Sequence, residues 1–231
     1  MNAQINKQSL DERNQVDSKQ TRIKTDRTAR IWNRFADRYA AKPVADQDAY
    51  ASKLATTREY LHPEAYVLEL GCGTGSTALA HAPYAKHITA TDISPRMIEI
   101  ARAKQSETNI NNVDFSCEAI NELRAHDASF DAVMMHSVLH LLVDWRVQLQ
   151  EAHRLLKPGG VLVTNTVFLQ DDASFLRWVA PIGQLVGLIP PISFFTRKEF
   201  EQSINNTGFE IVKNWQPGPK TGVFMIARKS L

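Results

Sequence analysis

Apolar positions along the chain change rhythm twice. Residues 1 to about 26 carry Asn, Gln, Lys, Ser and Asp without an apolar rhythm, which predicts a mobile tail. Ile31, Trp32, Phe35 and Tyr39 then recur at helical spacing, predicting an amphipathic helix that stops near Pro43. A second helix is expected over 46–61, with Tyr50, Leu54 and Tyr60 as its less polar positions. From Tyr66 onward, short apolar runs alternate with helical segments. The runs fall at 66–70, 88–91, 113–115, 130–135, 161–167, 210–213 and 223–227. The helical segments fall at 76–81, 95–105, 149–156 and 198–207.

Short buried strands alternating with helices point to an α/β fold, a mostly parallel sheet covered on both faces. The last two runs are joined only by residues 214–222, too few for a helical crossover. The seventh strand is therefore expected to be antiparallel. This predicts a tail over 1–26, a helical cap over 27–61 and an α/β core over 62–231, with an apolar insertion at 168–195.

Composition narrows the setting. The chain has 231 residues, 43% of them apolar and 23% charged, which excludes wholesale disorder and fibrous classes. A net charge of +2 argues against a polyanionic partner for the whole chain, so nucleic acid is not the expected ligand. The charge is uneven: residues 1–60 carry 12 Lys and Arg against 8 Asp and Glu. Cys72 and Cys117 are too few for a disulfide framework or a four-ligand zinc site, so no metal is expected. The polar residues 1–20 lack a secretory signal, and no run of 18 apolar residues occurs. A cytoplasmic location is the expectation.

The densest chemistry lies in Glu69-Leu70-Gly71-Cys72-Gly73-Thr74-Gly75-Ser76. An apolar strand runs into three glycines at alternate positions and then into a helix. Such a turn sits at the carboxyl end of the first strand, where open α/β sheets bind ligands. The dinucleotide pattern requires Gly-x-Gly-x-x-Gly, whereas position 76 is Ser. Glu69 would also repel a pyrophosphate and suits an ammonium or sulfonium instead. Asp92 follows at the end of the second strand, placed to accept from two ribose hydroxyls, while Ser94 before Pro95 supplies the helix cap.

In order, these segments resemble the class I S-adenosylmethionine-dependent methyltransferases. Glu69 to Gly75 is similar to their first motif and Asp92 to their second. Val113 to Ala119 resembles the third-strand motif, Ser129 to His136 the fourth, and Leu155 to Gly160 the turn before strand five. The resemblance implies a Rossmann-like seven-stranded sheet and S-adenosyl-L-methionine as cofactor. It implies cofactor contacts from Glu69, Gly71, Cys72, Gly73, Gly75, Asp92, Ile93, Met97, Glu118, Ala119 and His136. Glu118 stands in a Cys-Glu pair where the family commonly has Gly-Asp. Residues 35–40 are similar to the cap segment of quinone-biosynthesis C-methyltransferases, which places Tyr39 at the cofactor.

Methyl transfer from a sulfonium needs alignment and exclusion of water more than a base. The residues after strand four, His136, Ser137, Leu139, His140 and Trp145, should line the reactive face. His136, His140 and Tyr39 are the candidate catalytic groups, and each could instead have a structural role. Asp144 could equally cap the following helix. The apolar insertion suggests a lid over a small, partly apolar acceptor, with peripheral membrane contact through 181–195 as a further option. Two alternatives stay open: an RNA or protein methyltransferase steered by the basic arm, or a non-catalytic S-adenosylmethionine-binding partner protein.

Overall fold

The computed structural model describes residues 26–120, 122–185 and 189–231. The expected tail lies outside these residues except Asp26, which already belongs to a helix (α1, residues 26–41). That helix buries Ile31 and Ala36 and ends before Pro43, as the apolar spacing requires. A second helix, α2 (Gln47–Arg58), is capped by Asp46, whose Oδ1 accepts from the Ala49 backbone N–H at 2.9 Å.

The core is one seven-stranded sheet: β1 (Tyr66–Leu70), β2 (His87–Asp92), β3 (Val113–Cys117), β4 (Phe130–His136), β5 (Leu156–Thr166), β6 (Phe209–Trp215) and β7 (Val223–Lys229). Their order across the sheet is β3-β2-β1-β4-β5-β7-β6. All neighbours pair in parallel except β7, which is antiparallel to both β5 and β6. The short loop before β7 dictates that reversal, as expected.

Helices cover both faces because the strands alternate two buried sets. Val67, Ile88, Ala90, Ala132 and Met134 pack under α3 (Ser76–His81) and α4 (Pro95–Ser106). Leu68, Leu70, Val133, Met135 and Leu162 pack under α5 (Trp145–Leu155) and α8 (Arg197–Asn206). Each such buried aliphatic side chain contributes about 1.5–3 kcal/mol. By parity, Glu69, Asp92 and His136 fall on the α3 and α4 face.

Two expectations need correction. Strand five was expected over 161–167 and instead starts at Leu156, which pairs with Phe130 before an irregular step to the Ala132–Val161 pair. Lys157 anchors that irregular stretch on Asp131 at 2.8 and 3.0 Å, and Lys229 Nζ donates to the carbonyls of His153 and Leu156 at 2.6 and 2.7 Å. The 168–195 insertion contains α6 (Leu169–Asp172) and α7 (Leu176–Leu185), and its two ends are core. Phe168 and Phe195 are buried, with ring centroids 5.8 Å apart, and Phe195 lies 4.4 Å from Trp145.

Candidate active site

The glycine loop after β1 turns under strong backbone constraint. Gly71, Gly73 and Gly75 all have positive φ, at 70°, 53° and 73°. At Gly71 a Cβ would lie 2.7 Å from Val138 Cγ2. At Gly73 the nearest atom would be Tyr39 Cε1 at 3.9 Å, so this backbone faces open space that a side chain would fill. Gly75 differs: a Cβ there would meet Phe115 and Ala101. Its glycine is demanded by packing beneath the loop.

Asp92 holds the loop to β2. Its Oδ2 accepts from Gly73 N at 3.0 Å and its Oδ1 from Ser94 N at 2.9 Å. Each oxygen keeps a further lone pair for a ligand hydroxyl. Burial raises the pKa of Asp92, partly opposed by those two N–H donors. Ser94 caps α4 by accepting from Met97 N at 3.2 Å and donates to Asn33 Oδ1 at 2.6 Å. Asn33 also accepts from Arg96 N at 3.2 Å, and Asp37 pairs with Arg96 at 2.7 Å, so α1 is docked on the start of α4.

These elements enclose a cleft of about 450 Å³ at the carboxyl ends of β1, β2 and β4. Eleven residues expected from sequence line it: Tyr39, Gly71, Gly73, Asp92, Ile93, Met97, Glu118, Ala119, His136, Ser137 and His140. Glu69, Cys72 and Gly75, expected as contacts, are not part of its lining. Glu69 is buried with Oε2 lacking a partner, and desolvation, then the Asp92 charge, pushes its pKa up to about 8. Cys72 is buried too, its N–H donating to Thr91 O at 2.9 Å. Burial and the Glu69 and Asp92 charges raise its thiol pKa.

The reactive end is built on a strained turn. Ser137, a non-glycine residue at φ 55°, lines the cleft directly after β4 and donates its N–H to Asn165 O at 2.7 Å. His136 Nε2 and His140 Nδ1 are buried without partners. Burial lowers both imidazoles to about 4, with Lys53 contributing at His136, so both are neutral at pH 7. The Tyr39 phenol is raised by burial and by the Asp92 and Glu69 charges. Trp145, expected on the reactive face, is instead core beneath Phe195. Asp144 stands at the α5 N-cap position without a capping bond and lines the cleft.

Sequence reasoning missed Thr28, Trp32, Val138, Leu142 and Gln148 in the wall. Trp32 had a signal, since it shares the α1 stripe with Tyr39. Val138 and Leu142 had none, because they flank the short 3-10 turn Leu139–Leu141, which carries no periodic pattern.

The cleft has the right chemistry for a cation with ribose hydroxyls. Asp92, Glu118 and Asp144 line it, and none of its lining residues is Lys or Arg, so a phosphate-bearing dinucleotide is a poor fit. Residues 68–164 match a family model described as Methyltransferase domain. Over that stretch the chain is similar to methyltransferase domains. A curated ubiquinone biosynthesis O-methyltransferase of Xylella fastidiosa is 35% identical over 127 residues, 54% of this chain and 51% of the relative. The chain thus spans about half the length of the curated relatives it matches. Among solved structures, a SAM-dependent methyltransferase from Methanosarcina mazei superimposes with TM-score 0.60 at 24% identity, covering 76% of this chain and 97% of that one. The (4+2)-cyclase SpnF superimposes with TM-score 0.66 at 22% identity, covering 83% and 85%. These likenesses show the methyltransferase fold.

Asp92→Ala removes both the loop anchor and the hydroxyl acceptor. S-adenosylhomocysteine affinity, read by calorimetry, should fall by about 1.5–3 kcal/mol, the usual worth of hydrogen bonds to a charged group. Unchanged affinity would remove Asp92 from the cofactor site.

Proposed function

We propose that the chain transfers a methyl group from S-adenosylmethionine to a small, partly apolar acceptor. The observation that carries this reading is the continuity of one cleft, from acidic Asp92 and Glu118 to neutral His136 and His140. In this reading Gly73 offers an uncluttered backbone, Asp92 takes the ribose hydroxyls, and Glu118 with Ala119 meets the adenine. Ile93 and Met97 pack beside it, and Tyr39 closes the loop side. Bound there, S-adenosylmethionine supplies an electrophilic methyl whose bond to sulfur breaks as the acceptor attacks, leaving S-adenosylhomocysteine.

The protein's own share is alignment and dryness. Val138, Leu142 and Pro191 give the wall its apolar character, suited to an organic acceptor. His136 Nε2 and His140 Nδ1 are neutral, desolvated acceptors able to hold and orient an acceptor hydroxyl. The curated relatives act in ubiquinone biosynthesis as O-methyltransferases, which favours oxygen over the carbon acceptor implied by the cap segment. The cap over 27–61 belongs to the cofactor site through Thr28, Trp32 and Tyr39. Two free cysteines fit a reducing, cytoplasmic setting.

Calorimetry with S-adenosylhomocysteine tests the cofactor, and labelled methyl transfer to a panel of phenols and catechols tests the acceptor. Saturable binding with a labelled hydroxyl product is expected. No saturable binding would end the proposal. Binding without transfer to any acceptor would favour a chemistry such as that of the cyclase sharing this fold.

A further inference from the structure

Among the described residues, the largest exposed apolar side chains gather around α7. Phe175 is 66% exposed, Trp178 82%, Ile182 68% and Leu185 78%. At 100° per residue Trp178, Ile182 and Leu185 fall on one face of the helix, with Phe175 just before it and buried Ala180 on the other side. An apolar stripe of this kind is the membrane-facing half of an interfacial helix.

A second observation supplies the charge. Arg27, Arg30, Arg34 and Arg38 are all exposed and recur along one flank of α1. Asn33 and Asp37 lie on the adjoining flank, where they bind Ser94 and Arg96 at the start of α4. Arg27 reaches from the arginine flank to the carbonyls of Gln184 and Leu185, 2.5 Å from each. The cationic flank therefore begins where the apolar stripe ends, and Arg177 adds an exposed cation on α7 itself. The acidic residues of α1 do not cancel this, since Asp37 is paired with Arg96 and leaves only Asp26.

We propose that the outer face of α7 and the arginine flank of α1 form one docking surface for an anionic lipid bilayer. A polynucleotide would use the arginines and leave Trp178 and Ile182 in water. An uncharged apolar partner would use the stripe and leave four cations unmatched. An anionic bilayer satisfies both, through apolar insertion and headgroup attraction. Contact is peripheral, because no described helix is long and apolar enough to cross a membrane. Thr28 on α1 and Pro191 beyond α7 both line the cleft, so docking brings its mouth to the lipid. This surface is independent of the reaction catalysed.

The test is co-sedimentation of the full chain with vesicles of phosphatidylcholine alone or mixed with phosphatidylserine. Binding to the mixed vesicles is expected, and it should weaken roughly tenfold or more on raising salt to about 0.5 M. Trp178→Ser/Ile182→Ser and Arg34→Glu/Arg38→Glu should each reduce partitioning roughly tenfold or more, with unchanged thermal melting curves showing that both variants fold. No binding to the mixed vesicles would overturn the proposal, as would binding that both variants retain. Polyuridylate binding that depends on the arginines, with vesicles ignored, would assign the flank to nucleic acid and overturn it equally.

Discussion

Gly75→Ala should be among the most damaging single-methyl additions, and it should act on stability before cofactor affinity. The new Cβ would stand 2.6 Å from Phe115 Cζ and 2.7 Å from the Ala101 methyl. Both neighbours belong to the buried cluster under α3 and α4, where nothing can move away cheaply. The backbone at φ 73° adds left-handed strain of about 1–2 kcal/mol for any residue with a Cβ. With overpacking of about 1–3 kcal/mol, the total is about 2–5 kcal/mol. In a chain of this size that lowers Tm by roughly 5–15 °C. Gly73→Ala is the matched control, since φ is also positive but the added methyl meets only Tyr39 at 3.9 Å. It should melt closer to wild type and lose more affinity for S-adenosylhomocysteine. Equal losses of stability in the two variants would contradict this division of roles.

Acid sensitivity is the second large effect. His81 is fully buried with neither ring nitrogen partnered, and burial, then His136 and Arg58, lowers its pKa to about 3. His136 and His140 are lowered to about 4. Their folded pKa values lie below the ordinary 6.5, so the unfolded chain binds more protons as pH falls below that value. The stability they contribute is complete above pH 6.5 and is lost on the way down. Glu69 acts in the opposite sense: raised to about 8, it favours the folded state at low pH and loses that contribution between roughly 4.5 and 8. At about 1.4 kcal/mol per pKa unit, three histidines outweigh one carboxyl between pH 6.5 and 5, for a net loss of about 3 kcal/mol. Urea midpoints across that range should show the fall, and His81→Leu should flatten it by removing an imidazole that makes no hydrogen bond. A midpoint that stays level from pH 6.5 to 5 would refute the assignment. Above pH 7, Glu69→Gln should remove the slope of opposite sign.

Much of this architecture was readable before any coordinates. The strands were legible as short apolar runs, β1 closed by Gly71 and β2 ending on Asp92, and the reversal of β7 followed from the length of one loop. Ser94 as the cap of α4 was legible from the Ser-Pro step. What escaped depended on contacts distant in the chain. Gly75 looked like a ligand glycine until Phe115, 40 residues on, was seen to press against it. His81 carried no motif, and its significance comes from being enclosed between neighbours rather than from spacing. Strand five began earlier than its apolar run because Lys157, Asp131 and Lys229 secure a polar start by pairing. The insertion read as a lid, yet its aromatic ends are fastened to α5 and α8 while its middle turns outward.

The place of β7 has a consequence for how the sheet holds together. It is synthesised after the other six strands but sits between β5 and β6. Without it, β5 would expose an unpaired edge along Val161–Thr166, and β6 would have no neighbour among the described strands. The final strand closes that edge and brings Phe224 beside Asn165, one register position from the β4 end that carries His136. The seventh strand thus joins the two halves of the sheet and backs the end of β4 through β5.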